Sequence, residues 1–407
     1  MNPRIKEWLK QTRTHTPVMV IDLEEVRKKY HQLKKALKHT HLHYAVKANP
    51  EFDVLRLLAR EGAGFDIASP MELDAVLLTG VDPEKISYGH TIKKSSDIAY
   101  AWQRGVRLFA FDCLEELEKI AKNAPHSQVY CRLWVPNEGA RWPLSRKFGC
   151  RGSQARDLLL HAKELELDPV GISFHVGSQQ TDPAAYARAL DYVASVYNDL
   201  KYEGLQLKML NIGGGFPGSY DEEVPSDVEY GEMIFAAIEE HFGDEIQHII
   251  AEPGRSLVAD AGVLASEVIL VSHKDGFGAP RWVYLDVGYY SGLIDVQDEA
   301  ITYCLETDYP KNEDEETQCI LAGPTCDSVD MIYERTQIYL PDNLKEGDMV
   351  YFMAAGAYTV SCAAKSFNGM EGPRAVCLPV EEDMPLFSKK IVNISDAREN
   401  RKKSLWG

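Results

Sequence analysis

Short strand-like runs alternate with helical segments between residues 42 and 252, and this alternation limits the chain to very few folds. Strands that alternate with helices form parallel sheets, so eight such units over ~210 residues predict an α/β fold, a (β/α)8 TIM-like barrel. A doubly wound open sheet is the alternative architecture. The predicted strands are residues 42–46, 64–68, 85–88, 107–111, 129–135, 171–176, 209–212 and 248–251, and the predicted helices include 52–60, 71–78, 114–121, 153–165 and 183–200.

Beyond residue 255 the pattern changes to Val- and Tyr-rich runs separated by Gly, Pro and Asp turns. This pattern predicts an all-β second domain. Its predicted strands are residues 257–271, 281–287, 317–321, 349–353 and 375–379, with 292–303 expected to be helical and the acidic stretch 312–316 an exposed loop. The predicted parts are an N-terminal segment packed on the β-domain at 1–20, the barrel at 21–255, the β-domain at 256–380 and a C-terminal tail at 381–407.

Charge and cysteine content argue against several classes of function. The 407 residues include 44 Lys and Arg against 62 Asp and Glu, a formal net charge of −18 that repels phosphate backbones, so we expect no nucleic-acid partner. No run of ~18 apolar residues predicts a membrane span, and the N-terminus lacks the apolar stretch of a secretory signal. The eight Cys form no C-x-x-C pair. We therefore expect no metal site and predict a reducing, cytoplasmic location.

In a parallel barrel, catalytic groups lie at the carboxyl ends of the strands, and several predicted strands end in reactive residues. The first strand delivers Lys47, which on its own is either a solvated surface residue or an amine held for a Schiff base. The sixth ends near His175 and Ser178, where the histidine is as easily a core residue. The seventh precedes glycines 213–215, whose bare N–H groups either wrap an anion or simply make a tight turn.

The eighth predicted strand delivers Glu252 and Arg255. These side chains either pair with each other or serve two ends of one ligand, a carboxylate for a basic ring nitrogen and a guanidinium for a phosphate. The spacing G-x-G-x-x-G of a dinucleotide site is absent after the seventh strand. An amine, an anion cradle, a Glu and an Arg together therefore point to pyridoxal phosphate rather than to a nucleotide.

These residues belong to a series of motifs that resembles a known family. The motifs are YAVKANP (44–50), FDIAS (65–69), WPLSRKFG (142–149), FHVGSQ (174–179), NIGGGFP (211–217), EPGR (252–255), GPTCDSVD (323–330) and GAYT…FNG (356–369). In this order they are similar to the pyridoxal-phosphate decarboxylases of the alanine-racemase-like barrel class, which act on ornithine, lysine, diaminopimelate or arginine. The resemblance covers residues 18–380, and WPLSRKFG looks like the bacterial ornithine or ornithine/lysine type.

The resemblance implies a role for each matching residue. Lys47 would form the Schiff base with pyridoxal 5′-phosphate, His175 would stack on its ring, and Glu252 would pair with its ring nitrogen. Cys326 would donate a proton to Cα after CO2 leaves. Lys47, His175 and Cys326 are therefore the predicted catalytic residues. The other implied cofactor residues are Asp66, Arg132, Ser178, Gly213, Gly214, Gly215, Gly254, Arg255 and Tyr358.

The predicted substrate is a basic amino acid. The resemblance sets Asp327 against the distal ammonium of the substrate, Asp298 or Glu299 as a second contact, and Tyr358 nearby. A solvated helix face accounts equally well for Asp298 and Glu299. We predict decarboxylation of L-ornithine to putrescine, a step of polyamine biosynthesis. L-Lysine, meso-diaminopimelate and a modified diamino acid of a specialised pathway stay open, because residues 287–299 depart from the bacterial ornithine pattern. The chain length argues against the arginine enzymes.

The resemblance also implies a homodimer with shared active sites, in which the loop of Cys326 and Asp327 completes the partner's site. Two other classes of function compete with a decarboxylase. An amino-acid racemase would need a base on each face of the substrate and a Tyr-Gly-His run after Asn49, which is missing. A non-catalytic binding homologue is disfavoured because Lys47, the glycine triplet, Glu252 and Cys326 are retained.

Overall fold

The computed structural model of the protein describes residues 1–12, 15–144, 147–274, 276, 279–310, 312, 315–364 and 366–380. The predicted tail at 381–407 lies outside these residues. The α-helices in the described chain are α1 (Pro3–Gln11), α2 (Leu23–Ala36), α3 (Phe52–Arg60), α4 (Pro70–Leu77), α5 (Ser95–Gln103), α6 (Leu114–Asn123), α7 (Gly152–Glu164), α8 (Ala184–Tyr202), α9 (Asp227–Phe242) and α10 (Arg255–Val258).

The strands of the same residues divide between a barrel, a second sheet and one small ribbon. They are β1 (Val18–Asp22), β2 (Thr40–Ala45), β3 (Gly64–Ile67), β4 (Ile86–Tyr88), β5 (Leu108–Phe111), β6 (Gln128–Arg132), β7 (Ala140–Trp142), β8 (Asp168–Ser173), β9 (Ser178–Gln180), β10 (Met209–Asn211), β11 (His248–Ala251), β12 (Gly262–Ser272), β13 (Arg281–Leu285), β14 (Leu305–Thr307), β15 (Glu316–Ala322), β16 (Met331–Pro341), β17 (Met349–Phe352) and β18 (Arg374–Leu378). Short 3₁₀ helices cover Val46–Ala48, Pro83–Lys85, Gly243–Glu245, Ile294–Glu299, Val360–Cys362 and Phe367–Gly369.

Eight parallel strands close into a barrel in the order β2, β3, β4, β5, β6, β8, β10, β11. The ring closes where β11 pairs with β2, with Ile250 opposite His41. Each of the eight predicted strands overlaps one of these strands, so the prediction of a (β/α)8 barrel is confirmed. The alternative of a doubly wound sheet is wrong, because an open sheet would leave β2 and β11 as unpaired edges.

The barrel strands are buried on both faces. On β5, Phe109 and Phe111 belong to the main core shared with the surrounding helices, whereas Ala110 between them belongs to a separate apolar cluster. Successive side chains of a strand point to opposite faces, so the separate cluster lies inside the barrel. Its buried members are Ala110, Tyr130, Met209 and Ile250. Full burial of one such large side chain contributes about 1.5–3 kcal/mol to stability, so both layers hold the strand ends in place.

The second sheet is mostly antiparallel and runs β14, β17, β12, β13, β15, β16. The N-terminal strand β1 joins it, antiparallel to β12 with Val20 opposite Val263 and parallel to β18 with Val20 opposite Val376. Helix α2 follows β1 directly and packs against α3, α9 and α10. The chain therefore enters the second domain before it enters the barrel. The prediction of a second domain made mostly of strands is confirmed.

Several predicted elements differ in detail. The predicted strand 257–271 begins as helix α10 and becomes β12 only at Gly262, because a fully apolar run suits a buried helix and a buried strand equally well. The predicted helix 292–303 is reduced to the 3₁₀ helix Ile294–Glu299. The acidic stretch 312–316 is only partly described, and Glu316 begins β15. No helix in the described part of the chain is long and apolar enough to span a membrane.

Candidate active site

The carboxyl ends of the barrel strands bring together most of the predicted site residues, because parallel strands end on one face of the barrel. Lys47 lies in a 3₁₀ turn directly after β2, and its Nζ is 3.7 Å from Asp66 Oδ2 on β3. The Lys47 side chain is 50% exposed, so the ammonium lies in the open mouth of the barrel. Burial lowers the pKa of Lys47, but Asp66, Tyr358 and Glu252 outweigh that effect and raise it.

Asp66 is the buried acid beside this amine. Its Oδ1 accepts a hydrogen bond from the backbone N–H of Gly89 at 3.0 Å, which fixes the carboxyl group at the end of β3. Burial and the neighbouring charge of Glu252 raise the pKa of Asp66 well above its usual range, whereas Lys47 lowers it. Asp66 is therefore the nearest carboxylate to the amine and a ready acceptor for its proton.

Glu252 follows β11 and is oriented by Asn211, a buried residue that the sequence pattern did not single out. The Asn211 side chain donates from Nδ2 to Glu252 Oε1 at 2.6 Å and accepts from the N–H of Gly213 at 2.9 Å. Glu252 Oε2 has no partner among the described residues. One carboxylate oxygen is thus held and the other is available to a ligand. A polar residue at a strand end, two positions before the glycine triplet, was the signal for Asn211.

The glycine triplet is required by close backbone packing. A Cβ at Gly213 would overlap the carbonyl oxygen of Phe174, and a Cβ at Gly214 would lie 2.5 Å from the carbonyl oxygen of Glu252. Gly213 and Gly215 also have positive φ angles of 68° and 120°. In the described chain, the backbone N–H groups of Gly214, Gly215 and Gly254 donate no hydrogen bond. These groups form an anion cradle whose space any side chain would fill.

Arg255 lies beside this cradle at the start of α10. Its Nε donates to Ser178 Oγ at 3.1 Å, and its Nη1 donates to Tyr220 Oη and to Asp295 Oδ2, both at 2.6 Å. The guanidinium also stacks over the ring of Tyr358, 4.8 Å from its centroid. Burial opposes the charge, but Tyr220 and Asp295 raise the pKa of Arg255 above its usual range. Tyr220 and Asp295 were not predicted, because only the fold brings them to Arg255.

His175 and Arg132 complete the set of residues at the barrel mouth. We call this set the barrel-mouth group; its other members are Lys47, Asp66, Glu252, Ser178, Arg255 and the anion cradle. Nδ1 of His175 accepts a hydrogen bond from the N–H of Gly177 at 3.0 Å, so the ring is neutral with its remaining proton on Nε2. Burial, Arg132 and Lys47 lower the pKa of His175 well below its usual range, which keeps the ring uncharged. Arg132 ends β6, and its guanidinium lies 5.1 Å from the centroid of the Phe148 ring. A flat neutral ring suits stacking on an aromatic ligand.

The Cys326 loop forms a second group, in the β-domain. Cys326 is exposed, and its backbone N–H donates to Asn368 Oδ1 at 3.0 Å. Asp327 Oδ2 accepts from Tyr290 Oη at 3.0 Å, and the Tyr290 ring stacks on Phe367 at 4.3 Å. Among the described residues, neither Cys326 nor Asp327 contacts the barrel-mouth group. One chain therefore presents the predicted site in two separate parts.

Asp330 positions the loop of Cys326, a role that the sequence did not reveal. This buried carboxylate accepts from the N–H of Thr325 at 3.0 Å and from the N–H of Tyr289 at 2.7 Å. Its backbone oxygen also accepts from Gly323 at 2.8 Å. One side chain thus holds together the two loops that carry Cys326 and Tyr290.

The structure does not bring Asp298 or Glu299 to either group. The carboxylate of Glu299 accepts backbone hydrogen bonds from residues 334, 335 and 336 at 2.7–3.0 Å, and it accepts from Thr336 Oγ1 as well. Burial opposes ionisation, but these bonds lower the pKa of Glu299 to about 2. Asp298 is exposed at a kink with a φ of 54°. Both oxygens of Glu299 thus hold β16 in this chain, and a contact of Asp298 or Glu299 with a substrate stays a prediction.

The barrel-mouth group has three chemical parts that fit pyridoxal phosphate. Lys47 offers an amine for an aldehyde, and Oε2 of Glu252 offers a carboxylate oxygen for a basic ring nitrogen. The free N–H groups of the cradle, with Ser178 and Arg255, suit a phosphate monoester. The unpartnered donors and the free carboxylate oxygen are complementary to the two polar ends of that one molecule.

Comparison with known proteins agrees with this chemistry. A family model for the pyridoxal-binding domain of pyridoxal-dependent decarboxylases matches residues 23–259. The chain is 37% identical to rat ornithine decarboxylase over 367 residues, 87% of this chain and 78% of the rat protein, and 35% identical to Xenopus laevis antizyme inhibitor 2 over 395 residues, 94% and 84% of the two chains. The crystal structure of lysine/ornithine decarboxylase from Vibrio vulnificus, complexed with cadaverine, superposes with a TM-score of 0.82 at 34% identity, covering 93% of this chain and 98% of that one.

Proposed function

Since the chain belongs to the family of pyridoxal-dependent decarboxylases, with pyridoxal phosphate as its cofactor, we propose that it decarboxylates L-ornithine to putrescine. Decarboxylation of a basic amino acid is common to the relatives named as decarboxylases. The observation that carries the choice of substrate is Asp327, a carboxylate that has a hydroxyl partner and, among the described residues, no cationic one. A distal ammonium would supply that missing charge. L-Lysine, with one more methylene, is the second candidate.

We propose that the barrel-mouth group holds the cofactor. Lys47 would be the covalent attachment point, His175 would stack on the ring, and Oε2 of Glu252 would accept a hydrogen bond from the ring nitrogen. When bound, pyridoxal phosphate supplies an aldehyde for the amine and an electron sink for the pair left when CO2 departs. The proposed cofactor ligands are completed by Asp66, Arg132, Ser178, Gly213, Gly214, Gly215, Gly254, Arg255 and Tyr358.

Two residues of the chain are proposed to move protons. Lys47 Nζ must lose a proton before it can attack a carbonyl carbon, and Asp66 is its nearest carboxylate at 3.7 Å. After the bond from Cα to the carboxylate breaks, Cα carries the electron pair and needs one proton. Cys326 Sγ donates that proton in our proposal, and the thiolate regains it from water. The net reaction takes up one proton from the solvent and converts one amino acid into one amine and one CO2.

We further propose that two copies of the chain share their active sites. Cys326 and Asp327 lie on an exposed loop of the β-domain, apart from Lys47 of the same chain. Around them lie apolar side chains that a monomer leaves open to water, with Val329 60% exposed, Phe367 37% and Met370 38%. A second copy related by a two-fold axis would cover this surface and bring the loop to the other barrel mouth.

The proposed function is tested by a product assay on the holoenzyme. L-Ornithine, L-lysine, L-arginine and meso-diaminopimelate are supplied separately, and CO2 and the amine are measured. We expect the highest kcat/KM with ornithine and putrescine as the product. A preference for another of the four would refute the ornithine assignment while leaving the decarboxylase intact. Loss of optical activity without CO2 would indicate a racemase, and no reaction with any of the four would favour a binding role or a modified diamino acid.

Cys326→Ala is expected to separate loss of CO2 from correct protonation. CO2 release should continue, slowed roughly 10- to 100-fold, because removal of a general acid costs up to ~10²–10⁴-fold and water can partly replace it. Part of the product should be the aldehyde, since Cα is no longer protonated selectively. Gas release, amine and aldehyde are quantified together. Cys362→Ala is the matched control, since Cys362 is also exposed. Clean amine at the normal rate from Cys326→Ala would refute the assignment of the acid.

A further inference from the structure

Arg255 and Asp295 form a buried ion pair at the edge of the anion cradle. The two side chains are 3% and 6% exposed, and Nη1 of Arg255 lies 2.6 Å from Oδ2 of Asp295. Arg255 begins α10, where the chain leaves the barrel, whereas Asp295 lies on the 3₁₀ helix Ile294–Glu299 of the β-domain. The pair therefore joins the two domains at the cradle. Nothing in the proposed reaction uses Asp295.

The partners of Arg255 divide its guanidinium into two edges. Nη1 is saturated, since it donates to both Tyr220 and Asp295. Nε donates to Ser178 Oγ, and Nη2 donates to no described residue. A guanidinium is planar, so two partners fixed on one edge also set the direction of the other edge. Nη2 is left for a ligand beside Ser178.

The group formed by Arg255, Tyr220 and Asp295 offers a phosphate no net positive charge. Burial raises the pKa of Tyr220 to about 12, so its hydroxyl is neutral near pH 7. Asp295 is the carboxylate paired with Arg255 in the described chain, and the pair has no net charge. A phosphate that enters the cradle meets neutral N–H and O–H donors beside a guanidinium whose charge is already opposed. A carboxylate close to a phosphate repels it, and buried charges are poorly screened.

We propose that Asp295 is a positioning residue that acts through Arg255 and lowers the affinity of the cradle for the cofactor phosphate. Asp295 holds the guanidinium charged and aligned while the cradle is empty of phosphate. It then opposes the phosphate charge, so that the cofactor binds less tightly than it would to an unopposed arginine. This inference rests on the proposed role of Arg255 as a phosphate ligand.

The test is the binding of pyridoxal phosphate to the full-length chain after removal of the cofactor. Asp295→Asn keeps an oxygen that can accept from Nη1 but removes the negative charge. We expect the Kd for pyridoxal phosphate to fall by about 10- to 100-fold, which is the scale expected for removal of one partly screened negative charge near a phosphate. Inorganic phosphate, used alone as a probe, should also bind more tightly. Both constants come from equilibrium dialysis at constant ionic strength, without any measurement of activity.

Tyr220→Phe is the matched control, because it removes the other partner of Nη1 without a change of charge. We expect its Kd to stay the same or to rise. A similar fall in Kd for Tyr220→Phe and Asp295→Asn would mean that a looser guanidinium, not charge, explains the effect, and this would overturn the inference. An unchanged or higher Kd in Asp295→Asn would overturn it as well.

Arg255→Lys separates this inference from the proposed phosphate site itself. It retains a positive charge for Asp295, so the chain should still fold, but it loses the planar fork of donors. Weaker binding of both pyridoxal phosphate and inorganic phosphate would support Arg255 as a ligand, and the result for Asp295→Asn then decides the inference alone. Unchanged binding in Arg255→Lys would instead refute the phosphate role, whatever Asp295→Asn does. Thermal unfolding with and without cofactor checks that each variant is folded.

Discussion

Lys47→Ala is expected to lower decarboxylation by on the order of 10⁴-fold, the scale seen when one member of a catalytic unit is removed. In the described barrel mouth, Lys47 supplies the amine, and Asp66 at 3.7 Å fixes its position. Without that amine, the proposed covalent link to the cofactor cannot form. CO2 release from carboxyl-labelled ornithine measures turnover. Mass spectrometry of the borohydride-treated, digested protein measures whether cofactor is attached to the peptide that carries residue 47.

Lys47→Arg is the matched control for charge. It retains a cation beside Asp66. If turnover fell in Lys47→Ala only because Asp66 lost its partner, Lys47→Arg should largely restore turnover. We expect no rescue, because a guanidinium does not form the covalent link at neutral pH. Turnover near the wild-type level in either variant would refute the covalent role of Lys47. A trapped adduct on another lysine would do the same.

Asp327→Asn is expected to lower kcat/KM for ornithine by about 10²-fold, which corresponds to ~3 kcal/mol. Asparagine can still accept from the N–H of Val329 and can donate from Nδ2 to Tyr290 Oη, so the loop geometry is preserved while the negative charge is lost. The loss should fall mainly on KM, since the distal ammonium is remote from the bond that breaks. Initial rates over a range of ornithine concentrations separate kcat from KM.

Two controls test whether the lower kcat/KM is caused by loss of the negative charge of Asp327. Asp298→Asn removes a charge from an exposed kink and should change kcat/KM by less than about threefold. Norvaline has the same side-chain carbons as ornithine without the ammonium, so its slow decarboxylation should respond little to Asp327→Asn. Equal losses for ornithine and norvaline would mean that Asp327 shapes the loop and does not recognise the ammonium.

The barrel was predictable because its signal is local. Each barrel strand is a short apolar run followed by an amphipathic helix, so no distant partner has to be known. The second domain was harder, as β1 illustrates, because its partners β12 and β18 lie hundreds of residues away in the chain. Strand β16 was missed because Glu334 and Arg335, both exposed, interrupt its apolar pattern. Pairing over long sequence distances leaves little trace in local composition.

The same distinction applies to the site. Lys47 and Glu252 were predicted as site residues because each lies at the end of an apolar strand, and the carboxyl ends of barrel strands converge on one mouth. Asn211, Asp295 and Asp330 were missed because each acts through a neighbour that only the folded chain supplies. Glu299 is the converse case. Its motif position matched, but the backbone of β16 already takes both of its oxygens.

The place of β1 in the second sheet affects how the chain folds while it is being synthesised. Val18–Asp22 is made early, yet its partner β12 begins at Gly262, about 240 residues later. At ~5–20 residues per second, synthesis leaves this apolar strand unpaired for roughly 10 to 50 seconds, while the barrel can already assemble behind it. An unpaired edge of this kind is prone to stick to other chains. Residues 18–22 therefore stay open to contact with other chains at least until β12 has been made.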